Sequence, residues 1–191
     1  MSLFQKALDI ANKAHQEQKR KYMDEKGIAM PYIIHPISVA SLVRTYLQKE
    51  SLETGIPINN IRMDKLMCAA VMHDVLEDTD YTVDEMKLQF GIEITNLVVE
   101  LTSDKNKIAE IGKTNYLKDK LLNMSDDALF IKLCDRLDNI NDSFYNKEMS
   151  EKLINDTREI LSYICSNRDN KLTWLHTAVL CDIQNSSESN R

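Results

Sequence analysis

The stretch VMHDVLEDTD, residues 71–80, sets one histidine and four acidic residues directly behind an apolar run, LMCAAV (66–71). An apolar run with no glycine or proline predicts a helix, which the pattern carries from about Asp64 to Glu77. In such a helix His73 and Glu77 share a face, as do Asp74 and Asp78. The C-terminal end of a helix already carries partial negative charge, so carboxylates gathered there repel it and one another. A bound divalent cation would remove that repulsion, and a solvated exit turn would tolerate it. The decapeptide alone leaves both readings open.

The 191 residues suffice for one substantial core, so a single domain over residues 1–183 is expected, with QNSSESNR (184–191) as a frayed tail. Hydrophobic residues make up 43% of the chain, and only 4 glycines and 3 prolines interrupt it. That composition excludes disorder and favours an all-α fold, a compact bundle of about seven to nine helices. Residues 3–20 read as a first helix with Leu3, Ala7, Ile10, Ala11 and Ala14 on one face, followed by a polar loop over 23–32. A second helix starts near Pro36, and residues 49–60, with Gly55 and Pro57, read as a surface connection. Thr82 with Glu85 forms a capping-box pattern. The β-branched stretch 91–103 is long enough to favour a helix, Ser125 or Asp126 can cap the next, and residues 147–166 and KLTWLHTAVLCDI complete the set.

The net charge of −6 argues against a nucleic-acid or membrane-surface binder, and no apolar run approaches the ~20 residues of a membrane span. The N-terminus lacks a signal peptide's apolar centre. Cys68, Cys134, Cys165 and Cys181 are widely spaced among apolar residues, which predicts buried free thiols in a reducing cytoplasm. One local exception to the acidic balance is Lys19, Arg20 and Lys21, which read by themselves as cations at the end of the first helix.

Two distant residues bear on the opening stretch. His35 stands just before the Pro36 helix start in apolar surroundings, and Asp135 sits mid-helix between Cys134 and Arg136, near Leu133 and Leu137. An ionised carboxylate in a core is costly unless paired or bound to metal, and Arg136 or another nearby cation is the alternative partner. Together His35, His73, Asp74 and Asp135 form a two-histidine, two-carboxylate set suited to Mn²⁺, Fe²⁺, Mg²⁺ or Zn²⁺. The absence of thiolates from this set argues against a structural zinc site.

The order H…HD…D resembles the HD-domain metal-dependent phosphohydrolases. The longer matches PYIIHPISVA, AAVMHDVLEDTDYTVDEMKLQFG and KLCDRLDNI resemble the hydrolase half of the RelA/SpoT family over roughly residues 3–165. The similarity is to its stand-alone small alarmone hydrolases, since no synthetase domain fits in the remaining chain. The resemblance implies that His35, His73, Asp74 and Asp135 bind Mn²⁺, and that Glu77 and Asp78 position the attacking water or carry its proton. It implies that Arg20 and Lys21 contact the nucleotide and Asn139 its ribose. The implied reaction removes the 3′-pyrophosphate of guanosine tetra- or pentaphosphate, with that guanine nucleotide as the small-molecule partner.

The chain departs from the family pattern in a longer loop between Lys21 and Pro31, in an extended connection over 49–60, in Asp138, and in Leu161, which stands where an aromatic is expected with Tyr163 two residues on. Two alternatives keep the fold and change the role. One is an HD-domain phosphatase for another nucleotide or nucleotide cofactor. The other is a non-catalytic alarmone-binding module, against which the presence of all four ligands and both acids counts.

Overall fold

Helix α3 (Asn60–Met72) is apolar on every side from Leu66 to Met72, and each of those residues is buried. A helix apolar all round belongs in an interior, and the chain wraps this one with three others. Helices α1 (Leu3–Ala14), α2 (Ile34–Thr54) and α5 (Val83–Leu101) pack against it. They contribute buried Ala7 and Ala11, Val39, Ala40 and Val43, and Val98 and Leu101. Fully burying a Leu or Met side chain is worth about 1.5–3 kcal/mol, so this layer contributes substantially to stability.

The computed structural model describes residues 1–23, 28–143, 147–168 and 171–189, without the side chains of residues 22, 23, 147, 148, 188 and 189. Its contacts divide the chain into two compact units, Met1–Thr102 and Ser103–Arg191. The first also holds strands β1 (Lys19–Met23) and β2 (Ala29–Pro31) and the one-turn helix α4 (Val75–Asp78). The second holds α6 (Lys105–Ile111), α7 (Lys113–Asn123), α8 (Asp126–Asp142), α9 (Lys147–Asn167) and α10 (Trp174–Ser189). The fold is all-α apart from the small antiparallel β1–β2 pair. No helix among the described residues is long and apolar enough to cross a membrane.

Local signals set several boundaries. The Thr82 side chain accepts from Glu85 N–H while Glu85 returns a bond to Thr82 N–H, the expected capping box. Ser125 caps α8 by accepting from Ala128 N–H. The stretch 91–103 is helical through Leu101, and Gly91, at φ 76°, supplies the left-handed residue that kinks α5.

Elsewhere the expected elements shift. The first helix ends at Ala14 rather than near residue 20, and Lys19–Lys21 lie in β1. The cause is tertiary pairing, with Lys19 opposite Pro31 and Met23 opposite Ala29, which overrides the helical propensity of these residues. The expected loop over 23–32 falls partly on residues 24–27, outside the described residues, with strand on either side. Helix α2 runs through Thr54, so the expected connection shortens to residues 55–59. Gly55, at φ 70°, closes the helix with its N–H on the Ser51 carbonyl.

The third helix stops at Met72 instead of continuing to Glu77. His73 Nδ1 donates to the Ala70 carbonyl at 2.7 Å, the group to which a continuing helix would tie Asp74 N–H. Asp74 then adopts φ −101°, ψ −5°, in the sparsely used bridge region where many active-site residues sit.

In the second unit α8 packs with α9 and α10, and α7 with α9. The expected frayed tail is helical through Ser189, because Ser187 is buried and its carbonyl accepts from Arg158. All four cysteines are free, but only Cys68 and Cys134 are buried, while Cys165 and Cys181 are exposed. On α9 the buried positions include Ile154, Thr157, Ile160 and Ile164, leaving Cys165 on the outer face. Burial, helped by Asp64, raises the Cys68 thiol to about 12, and burial raises Cys134 well above the usual thiol range. Neither is a ready nucleophile.

Candidate metal and nucleotide site

The break between α3 and α4 brings three side chains onto one carboxylate oxygen. Asp74 Oδ2 lies 3.0 Å from His73 Nε2 and 3.8 Å from His35 Nε2. It also accepts from the Tyr32 hydroxyl at 2.5 Å. His35 enters from the first turn of α2, with its ring edge-on to that of His73 at 5.1 Å between centroids. The candidate ligating nitrogens of the two histidines lie within 4.8 Å of each other. His35, His73 and Asp74 are all buried.

The hydrogen bonding of His73 tests whether this cluster fits a cation. The Ala70 carbonyl can only accept, so His73 Nδ1 carries a proton and Nε2 faces the Asp74 carboxylate. Between an imidazole lone pair and a carboxylate oxygen at this distance, the arrangement calls for positive charge: a second ring proton or a metal ion. Imidazole nitrogen with carboxylate oxygen, free of thiolate, suits a borderline-to-hard divalent ion. The Nδ1–carbonyl bond also fixes ring orientation, as outer partners of metal-binding histidines commonly do.

Glu77 and Asp78 lie in the α4 turn just beyond the ligand cluster, and both of their N–H groups donate to the Asp74 carbonyl, at 3.1 and 3.0 Å. Glu77 is half-buried, while Asp78 and Asp80 are exposed. The Asp78 carbonyl accepts from the Gln18 side-chain amide at 2.7 Å. Arg20 is buried, with its guanidinium 5.8 Å from the Tyr32 ring centre, whereas Lys21 is exposed. The two neighbours share β1, whose pairing with β2 shifts register between Lys19 and Met23.

In the second unit Asp135 is buried on α8, and both its oxygens are held. Oδ2 pairs with Lys132 Nζ at 2.8 Å, and Oδ1 accepts from Asn139 Nδ2 at 2.6 Å. Lys132 is the cation that the sequence reading left unassigned. Its i,i+3 spacing to Asp135 is the signal that finds it. Arg136, named from sequence as the alternative partner, is lowered from the usual arginine range by burial, against the opposing pull of Asp135 and Asp156. Asp138 is buried. Tyr163 is exposed, with Lys118 Nζ 5.6 Å from its ring centre.

Imidazole and carboxylate gathered at buried helix ends define a class of helical proteins equipped to hold a divalent ion. This chain belongs to the HD-domain family: the family model for the HD domain matches residues 7–169. It is 36% identical over 136 residues to the guanosine-3′,5′-bis(diphosphate) 3′-pyrophosphohydrolase MESH1 of Homo sapiens, covering 71% of this chain and 66% of that one. It is 34% identical over 160 residues to the guanosine-3′,5′-bis(diphosphate) 3′-pyrophosphohydrolase of Aquifex aeolicus, covering 82% of this chain and 20% of the relative. The chain thus spans just under two thirds of the human relative and about a fifth of the longer bacterial one. Its fold is similar to a solved structure described as a metazoan ortholog of SpoT that hydrolyzes ppGpp. That match has a TM-score of 0.69 at 22% identity and covers 97% of this chain and 96% of the other.

Proposed function

We propose that this chain is a metal-dependent hydrolase that removes the 3′-pyrophosphate from guanosine tetra- or pentaphosphate, leaving GDP or GTP. The observation that carries the reading is the convergence of Tyr32, His35 and His73 on Asp74 Oδ2 at the helix break. The names of the human and Aquifex relatives supply the substrate class. The family match runs across both compact units, which supports treating residues 1–183 as one hydrolase domain; the cytoplasm is its expected compartment.

In this reading His35, His73, Asp74 and Asp135 hold the ion, with Mn²⁺ as the expected metal. When bound, a divalent ion acidifies coordinated water and neutralises phosphoryl charge. Glu77, half-buried in the α4 turn, orients the water and takes its proton, and Asp78 assists at the exposed end. Arg20, with its planar guanidinium 5.8 Å from the Tyr32 ring centre, suits a guanine base or a phosphate, and Lys21 adds a point charge. Asn139 holds Asp135 through its amide nitrogen and is the residue assigned to the ribose. Water adds its oxygen to the pyrophosphoryl phosphorus, the P–O3′ bond breaks, and the proton ends on the nucleoside 3′ oxygen.

The test is hydrolysis of guanosine tetraphosphate by the purified protein with and without Mn²⁺, with both products identified. GDP with intact pyrophosphate, formed only with metal, is the expected result. Orthophosphate released from several nucleotides overturns the reading in favour of a general HD phosphatase.

A further inference from the structure

Tyr32 occupies the turn between β2 and α2, and its hydroxyl reaches Asp74, 42 residues away in sequence. Its backbone is fixed on both sides. Its N–H donates to the Gln18 carbonyl at 3.1 Å, and its carbonyl accepts from His35 N–H at 3.0 Å. Its ring lies 4.8 Å from that of His15, tilted by 40°, and 5.9 Å from that of His35.

Donor and acceptor logic then orders the layer beneath it. The Asp78 carbonyl can only accept, so the nitrogen of the Gln18 amide faces Asp78 and its oxygen faces His15. That oxygen can only accept, so His15 donates through Nδ1, at 2.8 Å. His15 is 2% exposed, and its Nε2 is buried with no hydrogen-bond partner among the described residues. Buried polar atoms are normally paired, so a histidine kept here at that cost has a use beyond filling space. Here the imidazole backs the Tyr32 ring and locks Gln18, which in turn holds both Asp78 and the Tyr32 backbone.

We propose that Tyr32 is a positioning residue for Asp74, held by His15 and Gln18, so that the carboxylate is aimed before an ion arrives. The hydroxyl pins Oδ2 between the two imidazoles and stops the side chain from turning away. Gln18 ties the same frame to the α4 turn, so the Asp74 carboxylate and the Asp78 backbone move together. This rests on the reading of Asp74 as a metal ligand.

The test is Mn²⁺ titration of metal-free wild type and of Tyr32→Phe, which removes one hydroxyl and keeps the ring, with thermal melting of both. Outer partners of metal ligands typically contribute 10- to 100-fold in metal affinity, so Tyr32→Phe should bind Mn²⁺ roughly 10- to 100-fold more weakly with little change in melting. Its turnover of guanosine tetraphosphate should climb with added Mn²⁺, a rescue that a merely structural role would not produce. Equal Mn²⁺ affinity in the two proteins overturns the proposal while leaving the metal site standing. No Mn²⁺ binding by wild type overturns both. Should Tyr32→Phe fail to fold, Gln18→Met takes its place: it keeps side-chain length and removes both polar ends. Unchanged Mn²⁺ affinity in that variant equally overturns the proposal.

Discussion

Asn139 donates the same amide nitrogen to the Asp135 carboxylate at 2.6 Å and to the Asp135 backbone carbonyl at 2.9 Å. The second carboxylate oxygen pairs with Lys132, whose side chain is only 13% exposed, against 11% for Asp135. Removing one partner of a largely buried ion pair leaves the other charge less well compensated. Lys132→Met should therefore destabilise the protein by about 2–4 kcal/mol, read as a lower urea midpoint. An unchanged midpoint would show that Asp135 does not depend on this ammonium.

His176 ties the start of α10 to the start of α8. Its Nε2 donates to the Asp126 carbonyl at 2.9 Å, and its Nδ1 accepts from Thr173 N–H at 3.0 Å. Burial lowers its pKa below the ordinary 6.5, and the Asp126 carbonyl opposes that shift only in part. As pH falls below about 6.5, the unfolded chain takes up a proton that the folded chain resists. Stability from this residue is therefore full above pH 6.5 and is lost as pH falls toward the depressed folded value. Melting measured between pH 7.5 and 5.5 should show a decline that is smaller in His176→Gln, an uncharged substitute.

Arg168 closes the end of α7 from the far end of α9. Its guanidinium donates to the carbonyls of Leu121, Leu122 and Met124 at 3.0, 2.9 and 2.6 Å, and pairs with Asp126 at 3.1 Å. Helix C-terminal carbonyls lack intrahelical donors, so this fork satisfies three of them at once. Lysine offers charge without the planar fork. Arg168→Lys should lower stability by about 1.5–3 kcal/mol in urea unfolding, the range for hydrogen bonds to charged groups. A cost near zero would mean the ammonium finds the same carbonyls.

What the sequence made legible was local. Thr82 with Glu85, and Ser125 before α8, carry their caps within three residues, and the apolar run 66–71 announces an interior helix wherever it packs. The break at His73 was hidden because a side chain makes it, by taking the Ala70 carbonyl. Strand β1 was hidden because KRKYM has no strand periodicity to show and acquires its conformation from pairing with residues 29–31. Tyr32 was visible inside YIIHP, but its use depends on Asp74 lying within reach of its hydroxyl, which no spacing in the chain states.

Arg20 is buried against Tyr32, so its loss should be felt in binding before chemistry. Arg20→Ala should raise KM for guanosine tetraphosphate roughly 10- to 100-fold, the worth of one or two charge-assisted contacts, with a smaller change in kcat. Steady-state kinetics at saturating Mn²⁺ read the split. A loss confined to kcat would remove Arg20 from substrate binding.

Glu77 and the ligand cluster should separate cleanly. Asp74→Ala removes the oxygen on which Tyr32, His35 and His73 converge, so Mn²⁺ binding and turnover should disappear together. Glu77→Gln keeps shape and one hydrogen-bonding oxygen but no longer takes a proton. It should bind Mn²⁺ as wild type does and lose roughly 10²- to 10⁴-fold in kcat, the usual worth of a general base. Calorimetric Mn²⁺ titration beside single-turnover hydrolysis distinguishes the two. Wild-type turnover by Glu77→Gln would transfer the proton to another group, and Asp78, exposed one residue on, is the first to substitute by the same isosteric change.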